Sequence, residues 1–179
     1  MVYKSLKLTC GSSIDIYQNI FTAQEQNDFY MFAVFSKYMF GNHSDIGYKS
    51  SKLGSFHSCI FSDEEDNDFG LNKHEFIKKI VHNRSRVRSW INGTLAGSRY
   101  YPHTDGYVFT ILYYINTIWD TDNGGETLFY NMYGEKELAI DFVPGQIVAF
   151  DGRLKHKPGL VQWNPDVRYV YTCQYKNHE

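Results

Sequence analysis

The sequence predicts a mainly β protein, an antiparallel sandwich or barrel with helices from its N-terminal side covering one outer face. Three observations predict it. From about Arg86 onward, short apolar stretches are punctuated by Gly, Asn and Pro with no helical spacing between them, the pattern of antiparallel strands joined by turns. The chain holds 15 Tyr and 13 Phe, and such large flat rings pack well on a pleated surface. Residues 20 to about 83 instead carry apolar residues at helical spacing between polar loops.

The elements follow in order. Thr22 and Glu25 have the spacing of a capping box, so a first helix is expected from Thr22 to Phe40, stopped by Gly41. Asn72 and Glu75 repeat that spacing and predict a second helix to about His82, with Phe76, Ile77 and Ile80 inward and Lys78 and Lys79 in solvent. The segment 42–70 between them carries Asp63, Glu64, Glu65, Asp66 and Asp68. It reads as a solvated loop, or more sharply as a lid whose charge favours a basic substrate. Strands are expected near 87–96, 98–103, 108–115, 126–131, 136–143, 146–150, 156–162 and 167–175. With 42% of its 179 residues apolar, the chain can bury a core of its own. One domain over 1–179 is expected, with 1–85 as helical support and 86–176 as the β core.

Composition excludes several classes. A net charge of −2 does not supply the basic face of a nucleic-acid binder. Cys10, Cys59 and Cys173 are odd in number and widely spaced, so neither a disulfide framework nor a zinc ribbon is expected. The first residues lack the apolar run of a signal peptide, and no stretch has the apolar length of a membrane span. A reduced, cytoplasmic setting is the expectation, and the acceptor patterns at Asn42, Asn83 and Asn92 are read as chance.

His103-Thr104-Asp105 follows a strand-like run. Residues two apart on extended backbone project to the same side, so His103 and Asp105 can reach one point. His156, after Phe150-Asp151-Gly152, is the best third ligand. Two His and one carboxylate suit a mononuclear Fe(II) and leave coordination positions open for a chelating co-substrate and O2.

The surrounding residues carry a resemblance. Arg99-Tyr-Tyr-Pro-His-Thr-Asp105, Phe109-Thr-Ile-Leu-Tyr-Tyr-Ile-Asn116, Asn123-Gly-Gly-Glu-Thr-Leu-Phe129, Pro144-Gly145 and Val148-Ala-Phe-Asp151 stand in one order and spacing. In that they resemble the 2-oxoglutarate- and Fe(II)-dependent oxygenases, and among them the prolyl 4-hydroxylase-like group. The resemblance covers about Tyr100 to Tyr175. It implies a double-stranded β-helix, or jelly-roll, core with the N-terminal helices packed on one sheet. It implies Fe(II) on His103, Asp105 and His156, with 2-oxoglutarate and O2 as co-substrates and ascorbate in support.

It also implies that Arg168, on the last strand, grips the distal carboxylate of 2-oxoglutarate, as a bidentate guanidinium can. Alternation sets Arg168, Val170 and Thr172 on one face and Tyr169, Tyr171 and Cys173 on the other. Tyr114 holds the place of a second donor to that carboxylate. Leu112 shares its face, as does Thr110, and Tyr100 is a further co-substrate contact. Because Asp105 is present, hydroxylation is implied over halogenation. The reaction implied is hydroxylation of an unactivated C–H bond, in a prolyl or other residue of a peptide or protein or in a small molecule, with release of succinate and CO2. Trp163, Arg99, Trp119 and the 42–70 loop are expected to border the substrate groove. Two other readings stay open: a cupin-like metal enzyme without 2-oxoglutarate, and a non-catalytic binding module.

Overall fold

The computed structural model describes residues 1–40, 57–61, 69–98, 100–106, 108–162 and 166–177, with side chains throughout except at Val2, Phe40 and 57–60. Strands dominate the described residues, and they form two sheets. The larger is antiparallel and built from β1 (Val2–Lys7), β2 (Ser13–Gln18), β3 (Met39–Phe40), β4 (His57–Ile60), β5 (Arg84–Thr94), β6 (Phe109–Tyr114), β9 (Ile147–Asp151) and β11 (Arg168–Asn177). Its order is β1-β2-β9-β6-β11-β5-β4-β3. The smaller runs β10-β7-β8, from His156–Pro158, Thr127–Tyr130 and Lys136–Ile140.

The two faces of the large sheet meet different partners. One face sends Leu112, Tyr114, Val148, Phe150 and Val170 toward Phe129 and Ile140 of the small sheet, closing an inner core. The Phe129 and Phe150 rings meet edge to face at 5.0 Å across the gap between sheets. The other face presents Ile111, Tyr113, Tyr171, Cys173 and Tyr175, which share a second cluster with Phe29, Ala33 and Ile77 from helices α1 (Ala23–Phe35) and α2 (Glu75–Ile80). Phe29 packs edge-on against Tyr113 at 5.6 Å.

Several expectations meet corrections. The segment 1–85 is not wholly helical: β1 and β2 form a hairpin that adds to the large sheet through β9. Gly11, at φ 85°, turns this hairpin. β1 is an edge strand with most residues exposed, so it lacks the apolar alternation by which a strand is read. Helix α1 has the expected capping box, Thr22 accepting from Glu25 N and Glu25 reaching back to Thr22 N, but it ends at Phe35 rather than Phe40. Ser36 turns extended, and Tyr38 donates its hydroxyl to the Ala33 carbonyl while its ring meets Tyr169. The extended turn at Ser36 thus packs Tyr38 on β11 where a continued helix was expected.

The second helix is shorter than Asn72 to His82. Leu71–Lys73 is a 3₁₀ turn, and His74 caps α2 by accepting from Phe76 N through Nδ1. Asn72 is no cap: its Oδ1 accepts from the hydroxyls of Tyr171, at 3.0 Å, and Tyr175, at 2.8 Å. Among the described residues of the expected strand at 98–103, only His103 forms a bridge, and no strand is formed there. Most of the 42–70 loop, acidic residues 63–68 included, lies outside the described residues. Among the described residues no helix is long and apolar enough to cross a membrane.

Candidate metal centre

His103 and His156 are 53 residues apart, and the backbone brings them together. Each donates its N–H to the other's carbonyl at 2.9 Å, an isolated antiparallel bridge. Two residues on, Asp105 N donates to Gly152 O at 2.7 Å. This pairing keeps 103–105 extended, so that both side chains face the gap between the sheets. Gly152 is required there. A Cβ on it would lie 2.9 Å from Val108 O and 3.0 Å from Asp105 Cβ.

The side chains converge without bonding one another. His103 Nε2 lies 3.7 Å from Asp105 Oδ1, and His156 Nε2 lies 3.7 Å from Asp105 Oδ2. One ligand atom from each of the three residues can be chosen so that all lie within 4.8 Å of one another. These gaps are too long for hydrogen bonds and short enough for one cation to touch all three.

The imidazoles are set to offer Nε2. His156 Nδ1 lies 2.8 Å from Leu154 O and His103 Nδ1 lies 3.2 Å from Tyr101 O. A carbonyl can only accept, so Nδ1 carries the proton and Nε2 keeps its lone pair. Burial is the largest influence on His156 and holds its pKa below the ordinary value, which favours the neutral form a metal needs. Thr110 donates its hydroxyl to Asp105 Oδ2 at 2.7 Å, fixing the carboxylate. Thr110 was placed on this face by period-2 alternation, but its bond to Asp105 depends on how residues 105–110 turn.

Arg168 is 2% exposed on the same inner face of the large sheet. Its Nε donates to Gly125 O at 2.6 Å, and its guanidinium lies over Phe142 at 4.7 Å and Tyr114 at 5.6 Å. Among the described residues no carboxylate lies within ion-pair distance of it. Burial pulls its pKa below the ordinary guanidinium value, and nearby Tyr114 works against that. A buried cation with no anion is costly. Gly125 makes the arrangement feasible: it sits at φ 80°, and a Cβ would come within 2.8 Å of Arg168 Cδ. Neither the carbonyl of Gly125 nor the role of its missing side chain is readable from sequence.

The remaining candidates line the same face. Tyr114 is wholly buried, with its hydroxyl 2.7 Å from Thr127 Oγ1, either oxygen able to donate, and burial pushes its pKa up to about 12. It is therefore a neutral donor at any ordinary pH. Tyr100 donates to Thr94 Oγ1 at 2.6 Å, and Thr94 is the cross-strand partner of Arg168. Leu112 and Thr172 pair across β6 and β11, both buried. Trp119 does not border an open groove: it is 9% exposed, packs on Phe142 and donates to Gly124 O at 3.0 Å, bracing the 124–125 turn. Arg99 and Trp163 lie outside the described residues.

No protein-family model matches the chain, and no curated protein does. Solved structures do match in fold. One is an oxidoreductase of the 2OG-Fe(II) oxygenase family from Burkholderia pseudomallei, at TM-score 0.73 and 14% identity, covering 96% of this chain and 87% of that one. Another is a prolyl hydroxylase from Trichoplax adhaerens in complex with a peptide fragment of the hypoxia inducible factor oxygen degradation domain. It matches at TM-score 0.68 and 18% identity, over 92% of this chain and 83% of that one. A prolyl-4-hydroxylase from Pseudomonas putida matches at TM-score 0.66 and 12% identity, over 92% of both chains. The fold is thus the one found in 2-oxoglutarate/Fe(II) oxygenases, prolyl hydroxylases included.

Proposed function

We propose that this chain, whose fold is that of the 2-oxoglutarate/Fe(II) oxygenases, is itself an Fe(II)- and 2-oxoglutarate-dependent hydroxylase. The observation that carries the reading is a buried guanidinium without an acidic partner among the described residues, facing the same inter-sheet space as a convergent His-Asp-His cluster. A cupin-like metal enzyme would have no use for such a cation, and a binding module would have no use for either.

The donor set fits the metal. His103 and His156 offer Nε2 lone pairs oriented by the carbonyls of Tyr101 and Leu154, and Asp105 offers a carboxylate steadied by Thr110. Two imidazoles and one carboxylate with open positions are the donors non-haem Fe(II) takes. When bound, Fe(II) with 2-oxoglutarate and O2 supplies the oxidising chemistry that hydroxylates a C–H bond and releases succinate and CO2.

The chain's own residues bind and orient. Arg168 holds the distal carboxylate of 2-oxoglutarate through its terminal nitrogens, while the Gly125 carbonyl fixes Nε. Tyr114 donates to the same carboxylate, with Thr127 free to donate into the Tyr114 oxygen. Tyr100 steadies Thr94 beside Arg168, and Leu112 and Thr172 wall the pocket. The apolar rings of Phe129, Phe142 and Phe150 exclude water around the site. A peptidyl proline is the substrate this reading favours, supported by the prolyl hydroxylases that share the fold.

The test is an anaerobic titration of the metal-free protein with Fe(II) in the presence of 2-oxoglutarate, read as the visible metal-to-ketoacid charge-transfer band. The band is expected in the wild type. Stoichiometric metal binding without the band would overturn the 2-oxoglutarate assignment, and no metal binding at all would overturn the metal site.

A further inference from the structure

We infer that a row of donors on β5 and β11, beside the metal cluster, recognises a carboxylate on the primary substrate. The inference rests on the oxygenase reading above and adds the chemical class of group that the substrate must present.

The row begins at Gln174. Its cross-strand partner on β6 is Thr110, the residue that holds Asp105, so the two side chains share the inner face beside the cluster. Gln174 is 2% exposed, yet its Nε2 is buried with no hydrogen-bond partner. Its orientation is set by Arg88, whose Nε donates to Gln174 Oε1 at 2.7 Å. An N–H must face the oxygen, so the amide nitrogen is turned away from Arg88 and left as a donor. An unmade buried donor is costly and calls for an acceptor.

Arg88 supplies the charge. It is exposed, lies across β5 from Gln174, and stacks on Trp90 at 4.6 Å. Stacking occupies the face of the guanidinium and leaves its edge open. Its terminal nitrogens make no ion pair or hydrogen bond among the described residues. The described neighbours have their acceptors engaged. Trp90 Nε1 donates to Asn92 Oδ1 at 3.0 Å, and Asn92 Nδ2 is turned toward Thr172 Oγ1 at 3.5 Å.

The burial of β5 agrees. Ser89, Ile91 and Gly93 are buried against the outer cluster, whereas Arg88, Trp90 and Asn92 on the opposite side stay half-buried or exposed. β4 pairs β5 as far as Trp90, so Trp90 and Asn92 are interior positions whose half-exposure on the inner face marks an open cleft, with Arg88 just past the end of that pairing. Two terminal guanidinium nitrogens and one amide nitrogen, with no acceptor left over, match a carboxylate. Trp90 offers a flat surface for the apolar part of the same molecule.

The probes are two mixtures of capped tetrapeptides, one with Asp or Glu at each variable position and the other with Asn or Gln. Binding is measured to protein loaded with Zn(II) and 2-oxoglutarate, by the shift of the Gln174 side-chain amide in NMR and by the dissociation constant. The acidic mixture is expected to bind tighter by about tenfold or more, and to move the Gln174 signal. Arg88→Met should erase the preference. Arg88→Lys should restore only part of it, because an ammonium keeps the charge and loses the fork. Thermal unfolding of each variant checks that it is folded. Equal binding of the two mixtures, no binding of either, or a preference that survives Arg88→Met would overturn the carboxylate subsite. Failure of the oxygenase reading shows separately, as a wild type that forms no charge-transfer band.

Discussion

The two faces of β11 contrast sharply. Its odd residues Tyr171, Cys173 and Tyr175 enter the aromatic cluster under the helices, where Asn72 takes the two tyrosine hydroxyls. Its even residues Arg168, Thr172 and Gln174 are just as buried, yet among the described residues the Gln174 amide nitrogen has no hydrogen-bond partner and Arg168 has no carboxylate within ion-pair distance. On β11 the outer face closes these hydrogen bonds internally and so contributes to stability, although Tyr113 beside it on β6 keeps a buried hydroxyl without a partner among the described residues. The inner face leaves donors open, which costs stability and creates affinity for ligands. Both faces belong to one ten-residue strand. Period-2 alternation is what lets a single segment carry both duties.

This comparison can be broken by substitution. Asp105→Ala on the inner side should have the largest effect: no charge-transfer band and turnover at background, while the melting temperature stays at or above that of the metal-free wild type. A variant that still forms the band would remove Asp105 from the site. Arg168→Met comes next. Its apparent affinity for 2-oxoglutarate should fall on the order of a hundredfold, measured as KM from succinate release. Its stability against denaturant should be unchanged or higher, because a buried cation without an anion is replaced by an apolar chain of similar length. A large loss of stability would show that Arg168 is structural.

On the outer face the signs reverse. Asn72→Ala leaves two buried hydroxyl donors without their acceptor and should cost about 2–3 kcal/mol in urea unfolding. Turnover per folded molecule should stay near that of the wild type. If activity falls with stability intact, the two faces are coupled and the contrast fails.

The smallest effect is expected at the helix cap. Thr22→Ala should cost about 1 kcal/mol near neutral pH. Hydrogen bonds from Thr22, backbone first, lower the Glu25 pKa below its ordinary 4.5. A lowered carboxylate pKa adds stability that is fully present above the unfolded value and is lost as pH falls through the folded one. The gap between variant and wild type should therefore narrow below about pH 4.5, followed by thermal melts across pH. A gap constant down to pH 3 would show that the Thr22 hydroxyl gives nothing to the Glu25 carboxylate, whose bond from the residue 22 backbone N–H the variant keeps.

Much of the architecture was legible because it is local. The capping box of α1 joins residues three apart, and β6, β9 and β11 announce themselves as short apolar stretches bounded by turn residues. The misread parts depended on partners far away in the chain. Asn72 had the spacing of a cap, but its oxygen is taken by hydroxyls 99 and 103 residues on, and His74 caps the helix instead. The β1–β2 hairpin was missed because its first strand, at a sheet edge, has little apolar pattern to show. In the candidate site, His103, Asp105 and His156 stood out by type and spacing within the family resemblance, which also singled out Arg168 and Tyr114, with Leu112 on the Tyr114 face. Thr127, Leu154 and the Gly125 carbonyl gave no such signal.

The sequence by itself determined which side chains each strand presents to each face, because side-chain direction follows from the period of extended backbone. It also determined that two histidines and an aspartate were available near strand ends. Only the tertiary structure decided that His103 and His156 would pair through their backbones, that Gly152 would admit Asp105 between them, and that Gly125 would leave room for Arg168. The reason is physical: these contacts join segments tens of residues apart, and whether they close depends on sheet register and on clearances of an ångström or less, which no local pattern records.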